Sequence, residues 1–283
     1  MKTSRSGPRI GLALGGGGAR GIAHIAMLEA FDELGLKPAV IAGTSMGALI
    51  GAAYASGLEA RAIRDHAERV LASKVELARL LFNPGENHGV FDLIEFKLFG
   101  PVMMNGETLT SIVLPPGVAD FVEATAIPLK IIATDFFGRR QVLIENGPMG
   151  TAVAASIAIP GVISGPKIDG RVMVDGGITN PVPFDHVQAA SDIVVAVDVI
   201  GGPVPRRAKG PTNFDLALGG SQILMRQIAR LMRERSPPDI YIEPLLDRFR
   251  VLEFHRADEI LAAAAPAKDD LKRQLEAQLA KAS

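Results

Sequence analysis

The sequence predicts a three-layer α/β fold, with a mostly parallel central sheet and helices on both faces. Three observations predict it. Short apolar runs that end in glycine alternate with stretches of helical periodicity, the rhythm of strand–helix–strand units. Small aliphatic residues dominate, which suits close packing of helix on sheet. The 283 residues, 48% of them hydrophobic, suffice for a sizeable core.

Taken in order, RIGLAL alternates bulky and small residues and ends in glycines, so it reads as a buried strand. From Gly18 to Leu34 the apolar residues Ile22, Ile25, Met27, Leu28 and Phe31 recur at helical spacing, and Gly35 stops the helix. PAVIAG is a second strand, and SMGALIGAAYASG a small-residue helix ending at Gly57. Leu58 to about Val113 reads as a helical insertion beside the sheet, interrupted by the loop NPGENHG. Within it FKLFGPVMMNG, part of the apolar stretch 92–106, is read either as a lid or interfacial surface or as ordinary core. Strands resume with LKIIAT, RQVLIE, RVMVDGG, DIVVAVDVIGG and DIYIEP. Between them helices are expected over Gly150–Ile159, Pro183–Ala190 and Phe214–Glu234. The end, PAKDDLKRQLEAQLAKAS, reads as a charged helix solvated on one face. No repeat or low-complexity linker divides the chain. The expectation is one domain over residues 1–283: core about 10–200, insertion about 58–113, helical C-terminal region about 212–283.

Composition narrows the function classes. A net charge of −1, with 22% charged residues, offers no basic excess for nucleic acid, and 5% aromatics without Trp disfavour base stacking. The absence of cysteine removes disulfides, thiolate metal sites and cysteine nucleophiles, and fits a cytoplasmic protein. The first residues read as a strand rather than a signal peptide, and no long uncharged apolar segment suggests a membrane span.

The run LALGGGGARGIAHIAML contains Gly16-x-Gly18-x-x-Gly21, the dinucleotide-binding spelling. Amides that open a helix hold a pyrophosphate, and equally the oxyanion of a reacting ester. In a dinucleotide site the next strand ends near an acid that binds the ribose. Here it ends in Gly43-Thr44-Ser45-Met46-Gly47, a G-x-S-x-G between strand and helix, the setting of a nucleophile elbow. Ser45 is then the nucleophile, and the amides of Ser45 and Met46 face developing negative charge.

A serine nucleophile needs a base. His66 and His255 lie in charged helical stretches, His88 in a loop, and His24 on the helix after the glycines. His186 is the histidine placed for a Ser–Asp–His order. The better candidate is Asp175, delivered by an apolar strand into the Gly176–Gly177 turn at a strand's carboxyl end. The alternative is that Asp175 only starts a turn, since Asp-Gly is a common turn pair. Asp135 and Asp198 tempt a metal reading, but without a neighbouring His or acid cluster they suit structural roles.

The set GGGARG, GTSMG, ASIAIPGV and VDGG resembles the patatin-like phospholipase family, in the style of its compact bacterial members. IIATDFFG and VVAVDV fit as well, so the likeness runs from about Ile10 to Val199, about two-thirds of the chain. The resemblance implies a serine lipid acyl hydrolase of phospholipase or esterase type, using a Ser–Asp dyad without histidine. It implies Ser45 as nucleophile, Asp175 as general base, and oxyanion-hole amides from Gly16, Gly17 and Gly18. Arg20 matches the family's basic position, there to steer a lipid phosphate or, with Gly21, to support the loop. Ser156 to Pro160 would be scaffolding. No metal or organic cofactor is implied. The partners implied are a lipid or acyl-ester substrate and transient contact with a membrane surface, with no nucleic acid and no particular oligomeric state. The competing readings are a nucleotide-binding oxidoreductase built on the Gly16–Gly21 loop and a Ser–His–Asp esterase.

Overall fold

The computed structural model describes residues 7–72, 103–204 and 210–282. β1 (Ile10–Leu14) is wholly buried and runs into the glycine loop. The chain then winds as a tight 3-10 turn, Gly18–Ala23, before α1 (His24–Glu33). The sequence reading made this one helix from Gly18. The difference arises because Gly18 holds φ +57° and the Ala19 N–H donates to Val251 O, which ties the first turn to a distant loop. Next come β2 (Val40–Thr44), α2 (Met46–Ala55) and α3 (Ala60–Ala72). Two short elements close the expected insertion: β3 (Met104–Asn105) and α4 (Gly106–Val113), capped by the Asn105 side chain accepting from Thr108 N–H. Most of the 92–106 stretch and His88 lie outside the described residues.

β4 (Leu129–Asp135) and β5 (Arg140–Ile144) form a hairpin, followed by α5 (Met149–Ser156). The small strands β6 (Ile163–Ser164) and β7 (Lys167–Ile168) were not read from the sequence; they precede β8 (Arg171–Asp175). α6 (Asp185–Gln188) and β9 (Ile193–Val197) follow. α7 (Asn213–Arg235) starts with a capping box between Thr212 and Asp215. β10 (Ile240–Ile242) and α8 (Ala257–Ala282) complete the order. α8 begins before Pro266, where the sequence reading began it; one face is solvated as expected, and the other enters the core. Ile260, Ala264, Leu271 and Leu275 are buried in the core, and α8 packs against α1.

Five strands run parallel in the order β10-β9-β1-β2-β4. The sheet is mixed beyond β4. β5 pairs antiparallel with Ile131–Asp135, occupying one edge of β4. The other edge is shared: β2 covers Leu129–Ile132, and β8, antiparallel, covers Ala133–Asp135. Alternate residues of the parallel strands enter two cores, as the period of two demands. Leu12, Ile41, Val195 and Val197 pack with α1, α2 and α8 on one face. Ala13, Ala42, Val194 and Ala196 pack with Val187 of α6 and Ala229 of α7 on the other.

Candidate active site

The shared edge of β4 assembles the site. Thr44 at the end of β2 pairs with Ile132, and Asp175 at the end of β8 pairs with the next residue, Ala133. The two strands therefore run toward each other along one edge, and their carboxyl ends face. The sequence reading took Asp175 to a strand end on the parallel pattern; β8 is antiparallel, so Asp175 arrives from the opposite direction.

Ser45 occupies the sharp turn from β2 into α2, with φ 53° and ψ −121°. A non-glycine residue at positive φ stores strain of about 1–3 kcal/mol and needs surroundings that enforce it. Gly47 is one enforcer: a Cβ there would lie 2.0 Å from Leu14 O, so only glycine lets α2 start this close to β1. Gly43, on the other side of the serine, is similarly crowded by Gly47 O. The Ser45 N–H donates to Ser156 Oγ at 2.8 Å, and Ser156 Oγ–H donates to Ile132 O at 2.5 Å. This corrects one expectation: the amide of Ser45 is engaged and does not face a substrate.

Ser45 Oγ–H donates to Asp175 Oδ2 at 2.7 Å. The other oxygen, Oδ1, accepts from Gly177 N–H at 2.7 Å, so the Gly176–Gly177 turn orients the carboxylate. Asp175 is 6% exposed, and burial pushes its pKa up to about 6, against the lowering effect of those two hydrogen bonds.

The glycine loop lies beside the serine. A Cβ on Gly16 would sit 3.3 Å from Ser45 Cβ. Its N–H, however, donates to Pro181 O at 2.9 Å, as Gly15 N–H does to Val197 O. The expectation that the Gly16 amide faces an oxyanion therefore fails; its role is to leave room. The amides of Gly17, Gly18 and Met46 have no acceptor among the described residues.

Arg20 is completely buried, and one of its nitrogens, Nη1, donates to Gly202 O and Phe249 O. Burial lowers its pKa to about 10, opposed by Asp247 and Asp198. A guanidinium with no exposed surface does not steer a lipid headgroup. Of the two expected roles, loop support is the one its position suits. Gly21 packs against Met46, tying the loop to the elbow.

The described histidines are elsewhere. His24 is buried; its Nε2 donates to Gly15 O at 2.7 Å, and burial lowers its pKa to about 4. His186 contacts Gln141 and Asp185, and His66 bonds to Val113 O rather than standing exposed. Among the described residues no histidine bonds to Ser45 or Asp175. Asp135 caps a turn through Gly138 N–H, and Asp198 accepts from Ile200 N–H and Tyr241 Oη–H. No metal-holding group of three or more His, Cys, Asp or Glu occurs among the described residues.

One neighbour carried no sequence signal. The Met225 methyl, from α7, reaches within 2.4 Å of where a Cβ on Gly177 would be and 3.7 Å of one on Gly16. α7 thus reaches the glycines that flank Ser45 and Asp175.

A sequence model described as patatin-like phospholipase matches residues 12–187, more than half of the chain. The chain belongs to that family. An uncharacterised NTE family protein of Mycobacterium tuberculosis is 35% identical over 208 residues, 69% of this chain and 50% of that protein. Lysophospholipase NTE1 of Pyricularia oryzae is 27% identical over 285 residues, 90% of this chain but 18% of that one. This patatin-like chain therefore spans half or less of the length of these relatives. Among solved structures, VipD from Legionella pneumophila aligns at TM-score 0.46 and 13% identity, over 96% of this chain and 72% of that one. The matched span contains the residues just described: Gly16–Gly21 in the loop, Gly43–Gly47 in the elbow, Ser156 behind it, and Asp175–Gly177 in the turn. No helix among the described residues is long and apolar enough to cross a membrane.

Proposed function

We propose that this patatin-like chain, as one catalytic domain, hydrolyses acyl esters of lipids with Ser45 as nucleophile and Asp175 as general base. The observation that carries the reading is the 2.7 Å hydrogen bond from Ser45 Oγ–H to a buried carboxylate with no imidazole between them. Asp175, with its pKa near 6, is ionised at neutral pH yet far more basic than an exposed aspartate. It takes the Ser45 proton as Oγ attacks the ester carbonyl. The oxyanion forms toward the amides of Gly17, Gly18 and Met46. The leaving alcohol regains the proton from Asp175, and water activated by the same carboxylate clears the acyl-enzyme. No step calls on a metal or organic cofactor. The natural setting is the cytoplasm, at the surface of a membrane.

The test is fluorophosphonate labelling beside hydrolysis of a lipid panel, with products identified by mass spectrometry. Ser45→Ala should lose both labelling and hydrolysis while remaining folded, and Asp175→Asn should lose hydrolysis comparably. His186→Ala should stay active. A dead His186→Ala with an active Asp175→Asn would replace the dyad by a triad.

A further inference from the structure

α7 has a second apolar face. Its inner side buries Gln222 and Ala229 and presents Met225 to the dyad. Leu216, Ile223, Leu224 and Leu231, spaced i, i+7, i+8, i+15, form one stripe on the opposite side, and all four are exposed, Leu224 at 66%. At the end of β4 the turn Asp135-Phe136-Phe137-Gly138-Arg139-Arg140 carries two exposed phenyl rings stacked edge-on, Phe137 at 73%. The turn and the first half of α7, as far as Met225, lie at the carboxyl end of the parallel strands, where Ser45 sits, while the rest of α7 runs back across the sheet face. The Gly176–Ile178 turn packs against β4 and α7 alike, so the apolar rim is continuous with the site.

Charge decides the occupant. Arg139 and Arg140 flank the exposed rings, with Arg140 3.9 Å from Asp135 of the same turn; on α7, Arg226 is paired with Glu243 and Asp247 and Arg230 with Glu234, and Arg233 lies over Tyr241, so the basic charge beside the apolar rim is that of the turn. An anionic lipid surface complements the rim, accepting apolar side chains below its headgroups and arginines at their level.

We propose that the Phe136–Arg140 turn and the outer stripe of α7 dock this protein onto an anionic bilayer, delivering lipid to Ser45 from the plane of the membrane. The proposal rests on the acyl-hydrolase reading for its purpose, but binding is separable from turnover. It is measured on the Ser45→Ala protein by co-sedimentation with phosphatidylcholine vesicles with and without phosphatidylglycerol. Binding should favour the anionic vesicles and weaken as salt is raised. Phe136→Ser with Phe137→Ser, or Leu216→Ser with Leu224→Ser, should lower partitioning about tenfold or more without lowering the melting temperature, because these side chains are exposed. Arg139→Glu with Arg140→Glu should remove the preference for anionic vesicles. With Ser45 intact, the same variants should keep hydrolysis of a soluble short-chain ester and lose that of vesicle lipid. Unchanged partitioning in the variants would overturn the proposal. So would sedimentation analysis in which the stripe substitutions split a dimer, since the stripe would then belong to a second copy. If no ester is hydrolysed at all, the catalytic reading fails while the partitioning result still decides the docking surface.

Discussion

At the scale of single residues, burying a carboxylate beside Ser45 costs stability. Burial lifts the Asp175 pKa from an ordinary 3.8 to about 6. Between those values the folded chain binds more protons than the unfolded one, so stability falls as pH rises through that window, and the cost is complete above it. Two pKa units correspond to about 3 kcal/mol. Asp175→Asn should therefore melt higher than the parent at about pH 8, with the advantage gone below about pH 4, in paired thermal scans. Catalysis runs the other way: kcat/KM on a soluble ester should fall below pH 6, as the carboxylate takes up its proton. Ser156 deserves a separate test. Ser156→Ala leaves the Ser45 N–H and Ile132 O unmet in a buried place, which costs about 1–3 kcal/mol. Chemical denaturation should register that loss, and kcat should drop with it because the elbow loosens. The meeting of Ser45 and Asp175 was legible as a contact because the expected chemistry fixes residue type and order. The engagement of Gly16 and Ser45 amides was not, since a backbone donor's partner depends on strands far away in sequence. Nor was Arg20's burial, because guanidinium groups usually stay at the surface.

Elements were legible where periodicity and punctuation agreed. β1, β2, α2, β4, β9 and α7 fall close to where apolar runs, glycines and caps placed them. Direction was not legible: whether β8 runs with or against β4 depends on the short turn through β6 and β7, whose few residues give no period. α8 was misjudged because Pro266 looks like a helix start, while the apolar residues Ile260, Leu261 and Ala264 before it continue the same buried face. That face makes α8 part of the core, and Lys268 and Lys272 bridge it to Glu29 and Glu33 of α1. Leu271→Ala should cost about 2–5 kcal/mol, measured by urea unfolding, as a buried leucine cavity does. The ion pairs, being partly exposed, should cost less than about 1 kcal/mol each. At the elbow, Gly47→Ala forces a methyl onto Leu14 O; soluble folded protein should be sharply reduced, seen as loss of the cooperative melt.

For the molecule as a whole, the family match ends at residue 187, and regions beyond it also pack around the candidate site. The loop around Phe249 and Val251 holds Arg20 and Ala19, and α7 supplies Met225. A reading confined to residues 12–187 would miss both. Truncation before α7 should leave an inactive protein even though both members of the dyad remain, and activity against a soluble ester checks this.

The head-to-head meeting of β2 and β8 has a consequence for the order of events as the polypeptide is made. Ser45 and Asp175 are 130 positions apart, so the serine bend can emerge and settle well before its acid exists. On the proposed reading of Ser45 and Asp175, reactivity would wait until the later strand closes the gap along β4. During refolding, fluorophosphonate capture should appear no sooner than amide protection of Ala133 to Asp135.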